Sequence, residues 1–371
     1  MAHDLRPFLI LLALLQAVPG AAAAPLALKS HLGDPAFPDD FWIASTPEQE
    51  GLDGAKLEAA LDAARSRGHE LHAVLVIRHG KLVLERYGVM DGKQLTPADS
   101  HPLYSVTKTF TSMLVGLAIA DGKIASIDAR ISPFFPEPEL RQASAEKEGL
   151  NLEDLLTMRS GIAYAEGSDE ALFQAPSIAA AFWARPLVWD VGTMWNYSSG
   201  DSQLLAEVVR RATGRTPLEY AQARIFGPLG ITSVAWDADR SGTQLGGRGL
   251  ALRPRDLARF GWMLLSGGKW KGVQVVPADW IAAATRRSLH VRGPGGGYGY
   301  QCWVPQFGGF VARGWQGQEL YVFPEKDLVV VFNAALPGNV ADDSLDKLVT
   351  EFVLPALCEQ GAGAIRSAGG G

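Results

Sequence analysis

The chain has 371 residues, 47% of them hydrophobic and 20% charged, which is ample for a large core in one or two domains. The formal net charge is −6 and the charges form no long runs of one sign, so nothing indicates nucleic-acid binding or an anionic membrane surface. Two cysteines, Cys302 and Cys358, exclude a disulfide scaffold, although one bridge between them stays open in an oxidising compartment.

The N-terminus has the pattern of a secretory signal peptide. Arg6 precedes an apolar run at residues 8–18 that is too short to span a bilayer, and four alanines at 21–24 offer cleavage sites. We therefore predict a signal peptide over residues 1–24 and an exported, periplasmic or secreted protein. An uncleaved membrane anchor is the alternative.

The remaining chain is predicted to be irregular at residues 25–44 and disordered in the Gly-rich tail at 359–371. A helix is predicted over 53–67, and His79-Gly80 separates two apolar stretches typical of a β-hairpin. Two or three strands follow over residues 310–334, with a tight turn at 324–327, and a last helix is expected over 342–357. Helical spacing between these ends covers residues 152–158, 177–184, 202–214 and 254–268.

These elements indicate an α+β fold of the three-layer α/β/α type. Strands from both chain ends are expected to form one antiparallel sheet, flanked by helices, with a mostly helical region inserted between them. We find no repeat and no linker, so residues 45–358 are treated as a single domain. Its sheet part comprises residues 51–104 and 295–358, and its helical part residues 105–294.

The stretch HPLYSVTKTFTSMLVGLAIADGK, residues 101–123, contains the first of four Ser-x-x-Lys pairs. Only in this pair is the lysine followed by a long run almost without charge, which indicates burial of Lys108. The second pair lies in a charged stretch that we expect to be solvated, the third in a helix-ending turn and the fourth on a late helix among acids. The four pairs are Ser105–Lys108, Ser144–Lys147, Ser266–Lys269 and Ser344–Lys347.

Ser-x-x-Lys places two side chains about one turn apart on one helix face, as a nucleophile and its proton acceptor would be. Helix capping by Ser105 is the alternative, but a capping box would need Glu or Gln where Lys108 stands. Burial and a helix N-terminus both disfavour the ammonium form. Our hypothesis is that Lys108 accepts a proton near neutral pH as a general base.

Two further stretches carry polar or small residues suited to a site. Tyr197 lies in a polar turn just before an amphipathic helix, where its phenol can bond to the serine and the lysine and relay a proton; ordinary packing is the alternative. In ARGWQGQELYVF, residues 312–323, Gly314 and Gly317 lie at a strand edge and would let a substrate approach the backbone, unless they mark a bulge.

The three motifs together resemble the penicillin-recognising serine hydrolases, in particular the group of class C β-lactamases, esterases and 6-aminohexanoate-dimer hydrolases. The matching segments are SVTK at 105–108, YSS at 197–199 and WQG at 315–317. Flanking segments such as LEDLLTMRSGI and GQELYVFPEKDLVVVF extend the resemblance over about residues 45–356. It implies a β-lactamase/transpeptidase-like fold.

The resemblance also implies a role for each matched position. Ser105 would be the nucleophile, Lys108 its base and Tyr197 the proton relay to the leaving group. The backbone N–H groups of Ser105 and Gln318 would form the oxyanion hole. Ser199, Trp315 and Gly317 would line the substrate site.

Two departures from the family pattern bear on the substrate. Ser199 stands where the second motif usually ends in Asn, and Trp315 stands where true β-lactamases have a Lys that helps bind the substrate carboxylate. Arg313 would point to the same face as Trp315 and is a candidate for partial compensation. The nearby Trp183, Trp189 and Trp195 would suit an apolar cleft, although we expect at least half of them in the core.

Other enzyme signatures are missing from the sequence. It contains no Gly-x-Ser-x-Gly elbow, no His-Glu-x-x-His and no phosphate or dinucleotide loop, so no cofactor and no metal are expected. His69, His72 and His79 flank the predicted hairpin, where surface positions are expected. The run GPGGGYG at 293–299 is interpreted as a flexible loop that borders the cleft.

The sequence therefore predicts a serine hydrolase that acts through an acyl-enzyme on esters or small amides of uncharged acyl groups. The expected partner is a small-molecule substrate, with no nucleic acid and no membrane after signal cleavage. The alternatives are β-lactamase or DD-peptidase activity, or a non-catalytic receptor with a penicillin-binding type of fold.

Overall fold

A computed structural model describes residues 42–167, 169–288, 296–336 and 344–358. The predicted signal peptide at 1–24, nearly all of the irregular segment at 25–44 and the tail at 359–371 lie outside these residues. Within them, Trp42 is buried and donates its indole N–H to the Arg255 carbonyl at 3.2 Å, so the start of the described chain packs on the domain.

The strands of the described residues are short except in one sheet. They are β1 Glu70–Arg78, β2 Lys81–Tyr87, β3 Val89–Met90, β4 Lys93–Gln94, β5 His101–Pro102, β6 Val234–Trp236, β7 Leu250–Leu252, β8 Lys269–Trp270, β9 Val273–Gln274, β10 Phe310–Gly314, β11 Gln318–Phe323 and β12 Leu328–Ala335.

The helices lie mostly between β2 and β10, as the sequence predicted. They are α1 Gly54–Ser66, α2 Thr107–Ala120, α3 Arg141–Glu146, α4 Leu152–Leu156, α5 Ile178–Trp183, α6 Ser199–Thr213, α7 Pro217–Ala221, α8 Pro254–Leu265, α9 Ala278–Ala284 and α10 Ser344–Leu348. A π-helical turn, Val349–Val353, continues α10.

The main sheet has the strand order β10-β11-β12-β1-β2, and every neighbouring pair is antiparallel. Its centre is the pairing of β1 with β12, which runs from Glu70 opposite Ala335 to Arg78 opposite Leu328 with one register shift between Leu71 and Ala73. Strands from both chain ends therefore form one sheet, and the predicted antiparallel α+β fold is confirmed. The predicted hairpin at His79-Gly80 is the β1–β2 turn.

The sheet is buried on both faces, which gives the three predicted layers. One face packs against α1 and the C-terminal helix through an apolar cluster that includes Leu57, Val76 and Leu348. The other face packs against α2 and α8 in the larger core, where the rings of Phe110 and Phe260 stack at 3.7 Å. The helix α2 thus lies in the middle of the domain, which explains why the run after Lys108 carries almost no charge.

Two predictions about exposure are wrong. Lys147 is buried rather than solvated; its amine lies 5.5 Å from the centre of the Trp183 ring, and burial lowers the pKa of that amine. His72 is buried too and stacks on His101 at 5.6 Å. Burial and the neighbouring His72 lower the pKa of His101 to about 4, so this ring stays neutral.

The two cysteines do not pair: Cys302 is buried, Cys358 is exposed, and both thiols are free. Among the described residues, no helix combines the length and apolar character needed to cross a membrane.

Gly116, in the middle of α2, is a position where a methyl group would not fit. A Cβ there would lie 2.4 Å from the Trp280 indole. We expect Gly116→Ala to lower the free energy of unfolding by about 2 kcal/mol, because overpacking costs more than the helix gains from alanine. Chemical denaturation measures this loss. Gly149→Ala is the control, since its nearest atom lies at 3.7 Å; equal stability of the two variants would contradict the packing argument.

Candidate active site

The segment before α2 presents Ser105 at the end of a strained turn. Tyr104 has a positive φ of 46° and begins a 3₁₀ turn, Tyr104–Val106, that leads directly into α2. The N-cap of α2 is Val106 and has no side-chain cap, so the alternative of capping by Ser105 is wrong. The Ser105 hydroxyl is left available for another partner.

That partner is the amine of Lys108, one helical turn later. Its Nζ donates to Ser105 Oγ at 2.9 Å, to Ser199 Oγ at 2.9 Å and to the Gly247 carbonyl at 3.0 Å. The lysine is only 1% exposed, as the apolar run after it predicted. The predicted pair Ser105–Lys108 is therefore in direct contact, and all three positions around the nitrogen have an oxygen partner.

Ser199 lies at the first residue of α6, whose N-cap is Ser198. Its hydroxyl accepts from Lys108 and donates to Glu166 Oε1 at 2.8 Å, while its backbone N–H donates to Glu166 Oε2 at 2.9 Å. We predicted a substrate contact for Ser199, whereas the structure shows the hydroxyl joining Lys108 to a carboxylate. No motif in the sequence pointed to Glu166 or to Gly247.

Tyr197 stands beside the lysine. Lys108 Nζ lies 4.7 Å from the centre of its ring, which is the distance of a cation–π contact. Trp303 stacks on the same ring at 5.8 Å, with Tyr298 edge-on at 6.3 Å and Trp195 tilted at 6.2 Å. The structure thus brings the three predicted residues Ser105, Lys108 and Tyr197 together.

This aromatic group was only partly foreseen. Of the three tryptophans considered for the cleft, Trp195 joins it, Trp183 is in the core and Trp189 is 38% exposed. Trp303 gave no signal in the sequence, whereas Tyr298 lies within the Gly-rich run at 293–299 that we interpreted as a loop bordering the cleft. The predicted flexible loop at 293–299 is described only from residue 296, and Tyr298 is fully packed.

The third motif is the turn between β10 and β11. Gln316 and Gly317 both have positive φ angles there, 61° and 86°. Trp315 is 44% exposed and meets the Tyr104 ring edge-on at 5.3 Å, beside the nucleophile segment. Gln318 opens β11; its side-chain amide donates to the Ala334 carbonyl at 2.6 Å and anchors the strand.

The glycines of this turn allow close packing of the backbone. A Cβ on Gly314 would lie 2.3 Å from the Leu103 carbonyl, so the absence of a side chain lets β10 touch the backbone just before Ser105. A Cβ on Gly317 would lie 2.9 Å from Leu336. The contact at Gly314 fixes the third motif against the first, and the approach of a substrate to the backbone at Gly314 and Gly317 stays a prediction.

Arg313 does not compensate for Trp315. Its guanidinium donates to Glu319 Oε1 at 3.1 Å and to Asp346 Oδ1 at 2.6 Å in the interior. Asp346 also accepts from the Tyr321 hydroxyl at 2.8 Å. Because the positive charge is used by two buried carboxylates, the expectation that Arg313 assists Trp315 is wrong.

Asp201 lies beneath the site on α6 and is completely buried. Its Oδ1 accepts from the Ser160 hydroxyl at 2.7 Å, and its backbone N–H donates to Ser198 at 3.0 Å. Burial raises the pKa of this carboxyl to about 7 against the opposing effect of these hydrogen bonds. The described residues contain no group of three or more potential metal ligands.

Comparison with known proteins agrees with this geometry. Residues 56–353 match the model of the Beta-lactamase family. The chain belongs to the beta-lactamase family. Membership in this family makes the chain a serine hydrolase.

Individual proteins show how far the likeness extends. A 6-aminohexanoate-dimer hydrolase of Paenarthrobacter ureafaciens is 28% identical over 293 residues, which cover 71% of this chain and 72% of that protein. A lovastatin esterase of Penicillium rubens is 28% identical over 250 residues, or 60% of this chain and 59% of its own. A solved penicillin-binding protein homologue from Caulobacter crescentus has the same fold, with a TM-score of 0.67 at 17% identity and coverage of 83% and 97%.

The buried Asp201 predicts a pH dependence of stability. Its pKa is raised from 3.8 to about 7 by folding, so its contribution is full below pH ~4 and is lost as the pH rises through ~7. Relative to Asp201→Asn, we expect the wild-type free energy of unfolding to fall by up to about 4 kcal/mol over that range. Urea denaturation of both proteins from pH 4 to pH 8 measures the difference.

The matched control is Asp91→Asn, since Asp91 is exposed in a turn with φ 50° that asparagine adopts well. Its stability curve should run parallel to that of the wild type at every pH. A parallel curve for Asp201→Asn as well would refute the assignment.

Proposed function

We propose that this protein hydrolyses esters or small amides of uncharged acyl groups through a covalent acyl-Ser105 intermediate. The observation that carries the proposal is the 2.9 Å contact between the hydroxyl of Ser105 and a buried amine, Lys108 Nζ. A hydroxyl is a weak nucleophile until a neighbouring base takes its proton. An adjacent amine shielded from water is suited to that task.

In the acylation step, Ser105 Oγ attacks the substrate carbonyl carbon while its proton passes to Lys108 Nζ. The carbonyl oxygen becomes an oxyanion, which the backbone N–H groups of Ser105 and Gln318 would stabilise. Ser105 lies at the start of α2, whose dipole favours negative charge there. Loss of one such donor typically costs about 2.7–4 kcal/mol of transition-state stabilisation.

Collapse of the tetrahedral intermediate expels the alcohol or amine. Tyr197, in contact with Lys108, would deliver the proton to this leaving group and recover one from the lysine. A water molecule then attacks the acyl carbon while one of its protons passes to Lys108. The bond between the acyl carbon and Ser105 Oγ breaks, the proton moves from Lys108 to Ser105 Oγ, and the carboxylic acid leaves.

The surroundings of Ser105 favour an uncharged acyl group. Trp315 presents an indole at the rim, next to Tyr104, and indole offers a single donor and no charge. Arg313 is occupied by Glu319 and Asp346. A substrate carboxylate would therefore meet no partner in this turn. The relatives named for an amide substrate and for an ester fit the same reaction class.

A β-lactamase or DD-peptidase is the second candidate, whereas the alternative of a non-catalytic receptor disagrees with the finding that the chain is a serine hydrolase. The contact of Ser105 with Lys108, and of Lys108 with Tyr197, speaks against a receptor, which would need no nucleophile and base. Rapid nitrocefin turnover by the wild type would favour the β-lactamase.

Removal of the nucleophile is the direct test. We expect Ser105→Ala to lower kcat/KM for p-nitrophenyl esters by at least about 10³-fold and to abolish fluorophosphonate labelling, because no acyl-enzyme can form. Mass spectrometry of the labelled wild type should locate the adduct on Ser105. Ser266→Ala, in a Ser-x-x-Lys pair that ends α8, is the matched control and should keep full activity.

The preference for uncharged acyl groups is tested at the rim of the site. We expect Trp315→Lys to shift the kcat/KM ratio of p-nitrophenyl hemisuccinate to p-nitrophenyl butyrate at least about tenfold toward the charged ester, since one ion pair near a protein surface is worth roughly 1–4 kcal/mol. Val273→Lys adds the same charge on the β8–β9 hairpin and should leave the ratio unchanged. An unchanged ratio in Trp315→Lys would show that Trp315 does not face the acyl group.

A further inference from the structure

We propose that Glu166 is a positioning residue that fixes the direction of the hydrogen bonds around Lys108, so that the lysine lone pair is aimed at Ser105. The inference rests on the proposed function, since it concerns the activation of the same nucleophile. It assigns a role to an exposed carboxylate that no motif in the sequence marked.

The argument begins with the proton on Ser199. A hydroxyl has one proton to donate, and an ionised carboxylate can only accept. Glu166 Oε1 lies 2.8 Å from Ser199 Oγ, so the serine proton points to Glu166. The Ser199 oxygen then has only lone pairs to offer Lys108, 2.9 Å away on its other side.

The same count of donors and acceptors fixes where the lone pair of Lys108 points. An ammonium group donates to all three oxygens, whereas the neutral amine that acts as the base has two N–H groups and one lone pair. The Gly247 carbonyl at 3.0 Å can only accept, and Ser199 is made an acceptor by Glu166. Both N–H groups are therefore used, and the lone pair is left for the third neighbour, Ser105, at 2.9 Å. This is the arrangement in which the amine can take the Ser105 proton.

Without the Glu166 carboxylate, the hydrogen bond between Ser199 and Lys108 can reverse its direction. A Ser199 hydroxyl that no longer donates to Glu166 is free to donate to the lysine nitrogen, which occupies the lone pair and leaves Ser105 without a base. Glu166 is held in place for this task by a second bond, since its Oε2 accepts the Ser199 backbone N–H at 2.9 Å. That bond also satisfies an N-terminal donor of α6.

The other ionisable groups around the pair do not replace Glu166. Burial and the Glu166 charge raise the pKa of the Tyr164 phenol, so it stays protonated. Tyr197 meets the lysine through its ring. Asp169 lies further out and is paired with Arg185 at 2.8 Å.

The test compares Glu166→Gln with the wild type in two assays. One is the rate of Ser105 labelling by a fluorophosphonate, and the other is the pH profile of kcat/KM for p-nitrophenyl butyrate. Because a positioned base contributes about 10²–10⁴-fold, we expect a loss of about tenfold or more in both rates. The acid limb of the profile should also move to lower pH, since the reversed bond and the lost negative charge both favour the neutral amine.

Ser199→Asn supplies the decisive background. An amide oxygen accepts from Lys108 and cannot donate. The direction of the hydrogen bond between residue 199 and Lys108 therefore no longer depends on Glu166. In this background we expect Glu166→Gln to cost less than about threefold. Glu170→Gln, on a side chain that is 72% exposed, is the matched control and should change neither the rates nor the profile.

The outcomes separate the two proposals. If the wild type is not labelled at Ser105, the proposed function fails. If it is labelled but Glu166→Gln leaves the rate and acid limb unchanged, the positioning role alone is refuted. A rate loss with an unmoved acid limb and a lower melting temperature, equal in both backgrounds, would show that Glu166 only stabilises the start of α6, and would refute the role as well.

Discussion

A primary amine buried in the middle of the domain is the constraint on which the rest of the site depends. Lys108 is only 1% exposed, and a buried amine is tolerable only when its hydrogen-bonding capacity is met. Its three oxygen partners come from the 3₁₀ turn before α2, from the start of α6 and from the loop before β7. Satisfying one nitrogen therefore fixes three distant segments at once, and the reactive hydroxyl is one of the atoms held in place.

The sheet supplies the other fixed reference. β10 reaches the nucleophile segment because Gly314 has no side chain to keep Leu103 away, and Arg313 locks the same strand to Glu319 and Asp346 from below. Oxyanion stabilisation needs donors placed to a fraction of an ångström, which rigid strands provide better than loops. The ion pairs that keep Arg313 from binding substrate thus stabilise the turn between β10 and β11.

The sequence predicted what depends on local periodicity or on a compact motif. The β1–β2 hairpin, the strands around residue 324, the helix α2 and the burial of Lys108 all follow from patterns within about twenty residues. The residues it missed meet only through tertiary contact. Glu166, Gly247 and Trp303 have no local signal, because each acquires its role from a neighbour more than thirty positions away. Lys147 was assigned to solvent for the same reason, since its charged flanks conceal a partner, Trp183, on another helix.

The pairing of β1 with β12 has a consequence for how the molecule is made. The central ladder joins the first long strand to the last, so it is among the most non-local contacts the chain can form, and such contacts are slow to establish. A nascent chain that ends before β10 already carries every group that bonds to the Lys108 amine. It still lacks the strands against which α2 packs. Its apolar helix would meet water until synthesis is nearly complete, a state prone to aggregation in proteins of this size.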